Sequence, residues 1–303
     1  MLKTLGIDSN FLGIEEKYSS FDAANVAILP VPYERTVSYG GGTKKGPSAI
    51  LRASHYVEFY DEETQREIHK ELGIVTLEPL KFSKKKDDEA LDYLYETTRQ
   101  LLQKKKFVVT LGGEHTISQA TIAAHAEKYR HLSVVQIDAH SDLRREYQES
   151  KFSHACVMAR VAEFIDPKRI VQIGIRAQCI EEARSIKRKG ITTLYAHEIR
   201  AGKYTKLLSR IAGWDDFAIE KLSNHVYVTF DVDGFDPSIM PATGTPEPNG
   251  LYWDETMRFL RNLGKKKKVV GCDVVELAPM KGLHHPDLTT AKLVSKMINY
   301  FVH

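Results

Sequence analysis

Short apolar runs rich in β-branched residues recur along the chain, and helix-like segments follow several of them. Two of the runs, 134–137 and 269–272, are apolar at nearly every position, which is typical of strands that are covered on both faces. Short strands that alternate with helices predict an α/β fold with a mostly parallel central sheet. The predicted strands are residues 26–31, 107–111, 132–137, 170–175, 226–230 and 269–275.

Segments with an apolar period near 3.6 residues predict the helices. They are residues 88–103, 117–129, 181–188 and 289–301. No Pro/Gly/Ser-rich linker, internal repeat or low-complexity block divides the sequence. We therefore expect residues 1–303 to form a single domain.

A glycine-rich segment, Gly40–Gly42 followed by Gly46 and Pro47, precedes a further predicted helix over residues 48–54. Its spacing fits neither the phosphate-binding loop nor the dinucleotide-binding fingerprint. We interpret it as a tight turn, with Pro47 opening the helix. A loop that covers a substrate is the alternative.

Composition and charge exclude several classes of partner. Lys and Arg number 43 and Asp and Glu number 40, so the net charge of +3 gives no reason to expect nucleic acid or an anionic membrane. No apolar run approaches the roughly 18 residues of a membrane span. The N-terminal residues lack a secretory signal, so we expect a cytoplasmic protein. Cys156, Cys179 and Cys272 are widely spaced and odd in number, which favours reduced thiols.

Acidic and histidine residues follow three of the predicted strands, at the point where each strand ends. Taken singly, an Asp-x-Asp after a strand is often only a cap or a turn. The carboxyl ends of parallel strands, however, face the crevice where such sheets build their sites, so we expect the three segments to converge. They are Gly112-Gly113-Glu114-His115, Asp138-Ala-His140-Ser-Asp142 and Asp231-Val-Asp233-Gly-Phe-Asp236.

The charge of these segments indicates a metal centre. Several carboxylates cannot share a cleft at neutral pH unless cations neutralise them. Asp138, His140 and Asp142 stand at alternate positions of an extended strand end, so their side chains point to the same side. A mixed set of imidazole and carboxylate ligands suits manganese, zinc, iron or nickel better than calcium or magnesium.

These motifs, together with Ser153-His154-Ala and Pro241-Ala-Thr-Gly-Thr-Pro246, resemble the signatures of the ureohydrolase family of arginases, agmatinases and their relatives. The resemblance extends from about Val26 to the C-terminal helix. It implies a three-layer α/β/α sandwich around the parallel sheet, and two Mn(II) ions per chain. It also implies that Asp138 and Asp231 bridge the ions, and that Asp236 is not a ligand. The implied ligands are His115, Asp142 and Asp231 for one ion, and Asp138, His140 and Asp233 for the other.

The resemblance further implies the reaction. A bound metal lowers the pKa of water towards ~7, so that hydroxide can attack the central carbon of a cationic guanidinium group and release urea and an amine. Glu276, in the sequence Asp-Val-Val-Glu-Leu-Ala-Pro, matches the family residue that holds the guanidinium. His154 matches the histidine that passes a proton to the departing amine, a task that suits an imidazole near pH 7.

The segment 142–147, Asp-Leu-Arg-Arg-Glu-Tyr, resembles the microbial agmatinase branch, whereas arginases carry a polar Asn shortly after this aspartate. The predicted reaction is therefore agmatine to putrescine and urea, a step of polyamine biosynthesis. We expect the distal ammonium to meet Glu146, Glu149 or a main-chain carbonyl, although Arg145 stands where an acidic residue is expected. N1-aminopropylagmatine, 4-guanidinobutyrate and arginine are the alternative substrates.

Two functions of other classes are weighed against this one. The first is a different metal hydrolase on a related scaffold, such as a deacetylase or a phosphoesterase. Deacetylases of similar fold use one zinc and lack a counterpart of His115, and an anionic phosphate calls for cationic side chains that the motifs do not show. The second is a non-catalytic homologue, which the presence of all the matching ligands disfavours. The family resemblance implies a homo-oligomer, either a trimer or a hexamer.

Overall fold

The computed structural model describes residues 2–82, 85–204 and 213–303, and within them eight parallel strands form one sheet. The strands are β1 (Val26–Val31), β2 (Ile74–Thr76), β3 (Phe107–Gly112), β4 (Ser133–Ile137), β5 (Ile170–Ile175), β6 (Thr192–Tyr195), β7 (His225–Asp231) and β8 (Lys268–Val275). Their order across the sheet is β2-β1-β3-β8-β7-β4-β5-β6. All six predicted strands form, each with ends within one residue of the prediction, whereas β2 and β6 at the two edges are absent from it.

The helices connect these strands and agree with the periodicity of the sequence. All five predicted helices form, and Pro47 stands in the first turn of the helix that begins at Gly46. The helices that begin at Glu16, Ile68, Val157, Ala196, Trp214 and Trp253 are absent from the prediction. None of the helices in the described ranges combines the length and the hydropathy needed to cross a bilayer. The helices are α1 (Glu16–Ser19), α2 (Gly46–Ser54), α3 (Ile68–Leu72), α4 (Asp87–Gln103), α5 (Ser118–Lys128), α6 (Val157–Val161), α7 (Ile180–Lys189), α8 (Ala196–Arg200), α9 (Trp214–Glu220), α10 (Trp253–Lys266) and α11 (His285–Phe301).

Helices cover both faces of the sheet. Helices α4 to α7 pack on one face, and α2 with α8 to α11 packs on the other. Successive side chains of a strand alternate between the two cores: Val26 and Ile28 of β1 lie in one, and Ala27 and Leu29 lie in the other. The three-layer α/β/α sandwich implied by the resemblance is confirmed.

Strands β3, β8, β7 and β4 are consecutive in the sheet, so the segments that follow them meet above its centre. The chain leaves β3 through Gly113, where an added Cβ would lie 2.0 Å from the carbonyl oxygen of Tyr33. A glycine is required for this close approach. It brings Glu114 and His115 beside the loop that follows β1.

Candidate active site

The three strand ends singled out in the sequence meet above the middle of the sheet. His115 opens a short 3-10 turn after β3, Asp138 follows β4, and Asp231 is the last residue of β7. Asp236 does not join them. Its carboxylate accepts hydrogen bonds from the main-chain N–H groups of Ser238 (3.0 Å) and Gly250 (2.9 Å), and so fixes a loop.

The first of two groups of side chains surrounds His115. Its Nδ1 lies 3.1 Å from Asp138 Oδ2, 3.1 Å from Asp142 Oδ2 and 3.4 Å from Asp231 Oδ2. Ligand atoms of His115, Asp138 and Asp142 all lie within 4.8 Å of one another. One ion placed among them could contact all three.

The second group surrounds His140 and shares Asp138 with the first. His140 Nδ1 lies 3.0 Å from Asp233 Oδ2 and 3.7 Å from Asp138 Oδ1. Ligand atoms of Asp138, His140 and Asp233 also lie within 4.8 Å of one another. The structure therefore brings all six predicted ligand residues together, in two groups joined by one carboxylate.

Burial and mutual repulsion oppose the ionisation of these carboxyl groups. Burial, followed by the negative charge of Asp138, raises the pKa of Asp142 to about 7. Burial, followed by the charges of Asp233 and Asp138, raises the pKa of Asp231 well above its ordinary value. A divalent cation among them would favour the ionised forms and displace their protons.

His115 is held from beneath through its other ring nitrogen. Its Nε2 lies 2.9 Å from Thr229 Oγ1, and the Thr229 hydroxyl donates to Asp273 Oδ1 at 2.6 Å. Asp273 is fully buried and also accepts from the Tyr227 hydroxyl at 2.8 Å. Because the Thr229 proton is used on Asp273, Thr229 Oγ1 accepts from His115 Nε2–H, and the lone pair of a neutral His115 ring is on Nδ1.

The surroundings of His115 Nδ1 bear on whether a metal ion fits this site. It is buried and has no hydrogen-bond partner, yet it faces oxygens of Asp138 and Asp142 at 3.1 Å. A lone pair aimed at carboxylate oxygens is repulsive unless a proton or a metal cation lies between them. Imidazole and carboxylate are also the ligands that first-row transition metals accept. The residues present therefore fit a divalent metal centre.

Two residues at the site have positive backbone φ angles although they carry side chains: Asp142 (+53°) and Glu276 (+66°). Such angles cost about 1–3 kcal/mol each and persist only where the surroundings impose them. The Asp142 carbonyl accepts from the first turn of α6, from Met158 N (2.9 Å) and Ala159 N (3.1 Å). These bonds fix the segment that presents Asp142 to His115.

Glu276 follows β8 and lies beside the first group of side chains. Its Oε1 accepts the main-chain N–H of His115 at 2.6 Å. Burial, followed by the charge of Glu114, raises the pKa of Glu276 well above its ordinary value. The predicted guanidinium-binding carboxylate thus lies next to the predicted ligands, although it is not among the residues that line the cleft described next.

A cleft of about 240 Å³ opens beside His140 and Asp142. Glu146, which the sequence suggested for the distal end of the substrate, does not line this cleft and instead borders a neighbouring cavity together with Arg145. Glu149, the other suggested residue, is exposed and lines neither the cleft nor that cavity. Glu247 is an acidic wall residue that sequence reasoning missed. The walls include Ser38, Tyr147, His154, Gln178, Thr245 and Glu247.

Arg176 explains how the segment around Glu247 reaches the cleft. Its guanidinium donates to the carbonyl oxygens of Asp233 (2.7 Å), Phe235 (3.2 Å) and Glu247 (2.8 Å). One partly buried cation therefore ties the turn that carries Asp233 to the segment that carries Glu247. These contacts have no signal in the sequence, because Arg176 lies 57 positions from Asp233 and 71 positions from Glu247.

Comparisons with known proteins agree with this site. The sequence profile of the Arginase family matches residues 24–303. The N(1)-aminopropylagmatine ureohydrolase of Synechocystis sp. is 39% identical over 292 residues, which are 94% of this chain and 92% of the relative. The agmatinase of Bacillus cereus is 32% identical over 291 residues, 93% of this chain and 94% of the relative. The crystal structure of agmatine ureohydrolase of Thermoplasma volcanium superposes with a TM-score of 0.82 at 27% identity, covering 99% of this chain and 94% of that one.

Proposed function

The chain belongs to the Arginase family of dinuclear metal enzymes, and we propose that this ureohydrolase releases urea from an agmatine-type guanidino substrate and leaves a primary amine. The observation that carries this proposal is the pair of ligand groups joined by Asp138, in which a buried imidazole lone pair faces carboxylate oxygens. Phosphate chemistry is disfavoured, because the two groups consist of carboxylates and imidazoles.

We assign two Mn(II) ions to the two groups. His115, Asp142 and Asp231 would hold one ion, and Asp138, His140 and Asp233 the other, with Asp138 and Asp231 shared. When bound, the ions lower the pKa of water so that a hydroxide nucleophile is available at neutral pH. The surrounding carboxylates favour a substrate that is itself cationic, as a guanidinium is.

Glu276 and His154 complete the assignment. The Glu276 carboxylate would pair with the guanidinium and hold its central carbon against the nucleophile. Burial lowers the pKa of His154 to about 4, so the ring is neutral at pH 7. A neutral ring can take up the proton that the attacking water loses and pass it to the leaving amine nitrogen as the C–N bond breaks.

Two substrates fit this assignment. Agmatine, hydrolysed to putrescine, is the simpler one and is the substrate expected from the segment after Asp142. N1-aminopropylagmatine is favoured by relatives of that name at 39% and 35% identity. Both carry cationic nitrogens beyond the guanidinium, which Glu247 in the cleft wall could attract. We further propose a cytoplasmic homo-oligomer, a trimer or a hexamer as in the family.

Steady-state urea release tests the function. The protein is loaded with Mn²⁺ and given agmatine, N1-aminopropylagmatine, 4-guanidinobutyrate and arginine at equal concentrations, and kcat/KM is compared. We expect one of the first two to be preferred, two equivalents of Mn²⁺ per chain, and loss of urea release in Asp138→Ala and Asp231→Ala. Preference for arginine would contradict the choice of substrate, and fewer than two metal equivalents would contradict the dinuclear centre.

A further inference from the structure

His154 is fixed by the loop that follows β1. Its main-chain N–H donates to Thr36 Oγ1 at 3.0 Å, and its Nδ1 lies 3.2 Å from the same oxygen. On the opposite side of the ring, Nε2 lies 3.4 Å from Ser38 Oγ. A single hydroxyl oxygen thus contacts both the backbone and the ring of the residue proposed to move a proton.

Thr36 is in turn held by a buried carboxylate. Its hydroxyl donates to Glu114 Oε1 at 3.0 Å, and the main-chain N–H groups of Arg35 and Thr36 both donate to Glu114 Oε2 at 2.7 Å. Glu114 has no exposed surface and belongs to neither ligand group. All these bonds connect the end of β3 to the loop that follows β1, so Glu114 fixes the loop that fixes His154.

The number of protons available determines the direction of these hydrogen bonds. A hydroxyl has one proton and two lone pairs, and an ionised carboxylate can only accept. Glu114 Oε2 already accepts two main-chain N–H groups, and the Thr36 hydroxyl donates its proton to Glu114 Oε1 at 3.0 Å. Both lone pairs of Thr36 Oγ1 are then available to accept from His154 N–H and from His154 Nδ1–H. The lone pair of the neutral ring is therefore on Nε2, beside Ser38 in the cleft wall.

We propose that Glu114 and Thr36 are positioning residues, which hold His154 as its Nδ1–H tautomer, so that the unprotonated Nε2 can accept the proton from water and pass it to the leaving amine. This inference rests on the proposed function, because it explains how His154 performs the task assigned to it. The motif Gly-Gly-Glu-His thereby carries two roles: His115 belongs to a ligand group, and Glu114 orients a residue of another loop.

The variant Glu114→Gln tests the polarity of the chain of hydrogen bonds with almost no change of shape. The amide oxygen can accept the two main-chain N–H groups, but the amide nitrogen must donate to Thr36 Oγ1. Thr36 then donates to His154 Nδ1, and the ring proton moves to Nε2. We expect kcat to fall about 10–100-fold, which is part of what proton transfer contributes to the rate. KM should change by less than about threefold, and the protein should still bind two equivalents of Mn²⁺.

A double-mutant cycle separates positioning from general loss of structure. In a His154→Asn background, Glu114→Gln should lower kcat by less than about twofold, because the residue it orients is gone. Thr36→Val should resemble Glu114→Gln, and Thr36→Ser should restore most of kcat. An equal effect of Glu114→Gln with and without His154 would overturn the proposal.

Glu34→Gln is the matched control in the same loop. Glu34 accepts from the main-chain N–H groups of Gly42 (2.7 Å) and Lys44 (3.0 Å), and within the described part of the chain it makes no hydrogen bond to His154. We expect kcat to change by less than about threefold. If Glu34→Gln lowered kcat as much as Glu114→Gln does, the effect would come from disorder of the loop, and the proposal would be overturned.

The tautomer can be read without any turnover. In protein labelled with ¹⁵N-histidine and loaded with diamagnetic Zn²⁺, long-range ¹H–¹⁵N correlation spectra distinguish a protonated from an unprotonated ring nitrogen, and His154→Asn assigns the signal. We expect Nδ1 to be protonated in the wild type and Nε2 in Glu114→Gln. The same tautomer in both would contradict the positioning role, whereas absence of urea release from every substrate would contradict the proposed function alone.

Discussion

The ring of His115 donates from Nε2 to Thr229 Oγ1 at 2.9 Å, and this bond leaves Nδ1 free to face the carboxylates. Outer partners of this kind fix the orientation of a ligand, and their loss lowers metal affinity about 10–100-fold. We expect Thr229→Val to weaken Mn²⁺ binding by that factor, and Thr229→Ser to bind nearly as the wild type does, measured by titration of the metal-free protein. Equal affinities in Val and Ser variants would contradict the role of the hydroxyl.

Asp138 is shared by both ligand groups, so its loss should affect both ions. We expect Asp138→Asn to lose Mn²⁺ more severely than Thr229→Val, and to lose the rise in Tm that Mn²⁺ gives the wild type, because a ligand that binds only the folded state stabilises it. Asp236→Asn is the control: it changes an aspartate of the same strand-end segment as Asp231, but one that bonds Ser238 and Gly250. It should keep two equivalents of metal, and retention of both equivalents by Asp138→Asn would contradict the shared site.

The proposed ligand residues could be placed together from the sequence because each lies within five residues of the end of a strand that is itself predictable. A run such as 226–230 predicts a strand, and a parallel sheet then places Asp231 at the edge where sites are built. Asp138 and His115 follow from the same reasoning. Topology brings these segments together, and no long-range detail has to be known.

Glu247 and Glu114 could not be assigned in the same way, because their roles depend on contacts between distant segments. Glu247 lies in a loop, and its main-chain carbonyl accepts a hydrogen bond from Arg176, which is 71 positions away. Glu114 bonds Thr36, 78 positions away. The strands β2 and β6 were missed for a different reason: they are edge strands of three and four residues, too short for a clear alternating pattern.

Glu247 is an acidic residue of the cleft wall that can attract the distal cation of the substrate. We expect Glu247→Gln to raise KM for N1-aminopropylagmatine about 2–5-fold, the strength of a partly exposed ion pair, with kcat unchanged because the contact is the same in ground and transition states. Butylguanidine, which has no distal ammonium, is the matched substrate control. An equal rise in KM for both compounds would show that Glu247 acts on the shape of the cleft and not on the distal charge.

His125 links stability to pH. It is fully buried, its Nδ1 bonds the Thr121 carbonyl at 2.7 Å, and burial lowers its pKa to about 4. Between its ordinary pKa of about 6.5 and this value, the unfolded chain binds a proton that the folded chain does not. The free energy of unfolding should therefore fall as pH decreases from 6.5 to 4, by up to about 3 kcal/mol from this residue. Urea unfolding at several pH values checks this, and a wild-type minus His125→Gln difference that does not vary with pH would contradict it.

Gly271 in β8 packs directly against the ring of His125. An added Cβ would lie 2.2 Å from His125 Nε2, so Gly271→Ala must displace a ring that is fully buried. Overpacking of this kind costs about 1–3 kcal/mol. Gly6→Ala, where nothing lies within 4 Å of the added atom, should change the free energy of unfolding by less than about 0.5 kcal/mol. Because the penalty arises from contact with one ring, it should shrink when Gly271→Ala is made in a His125→Ala background. A penalty of the same size in both backgrounds would place the strain in the β8 backbone itself.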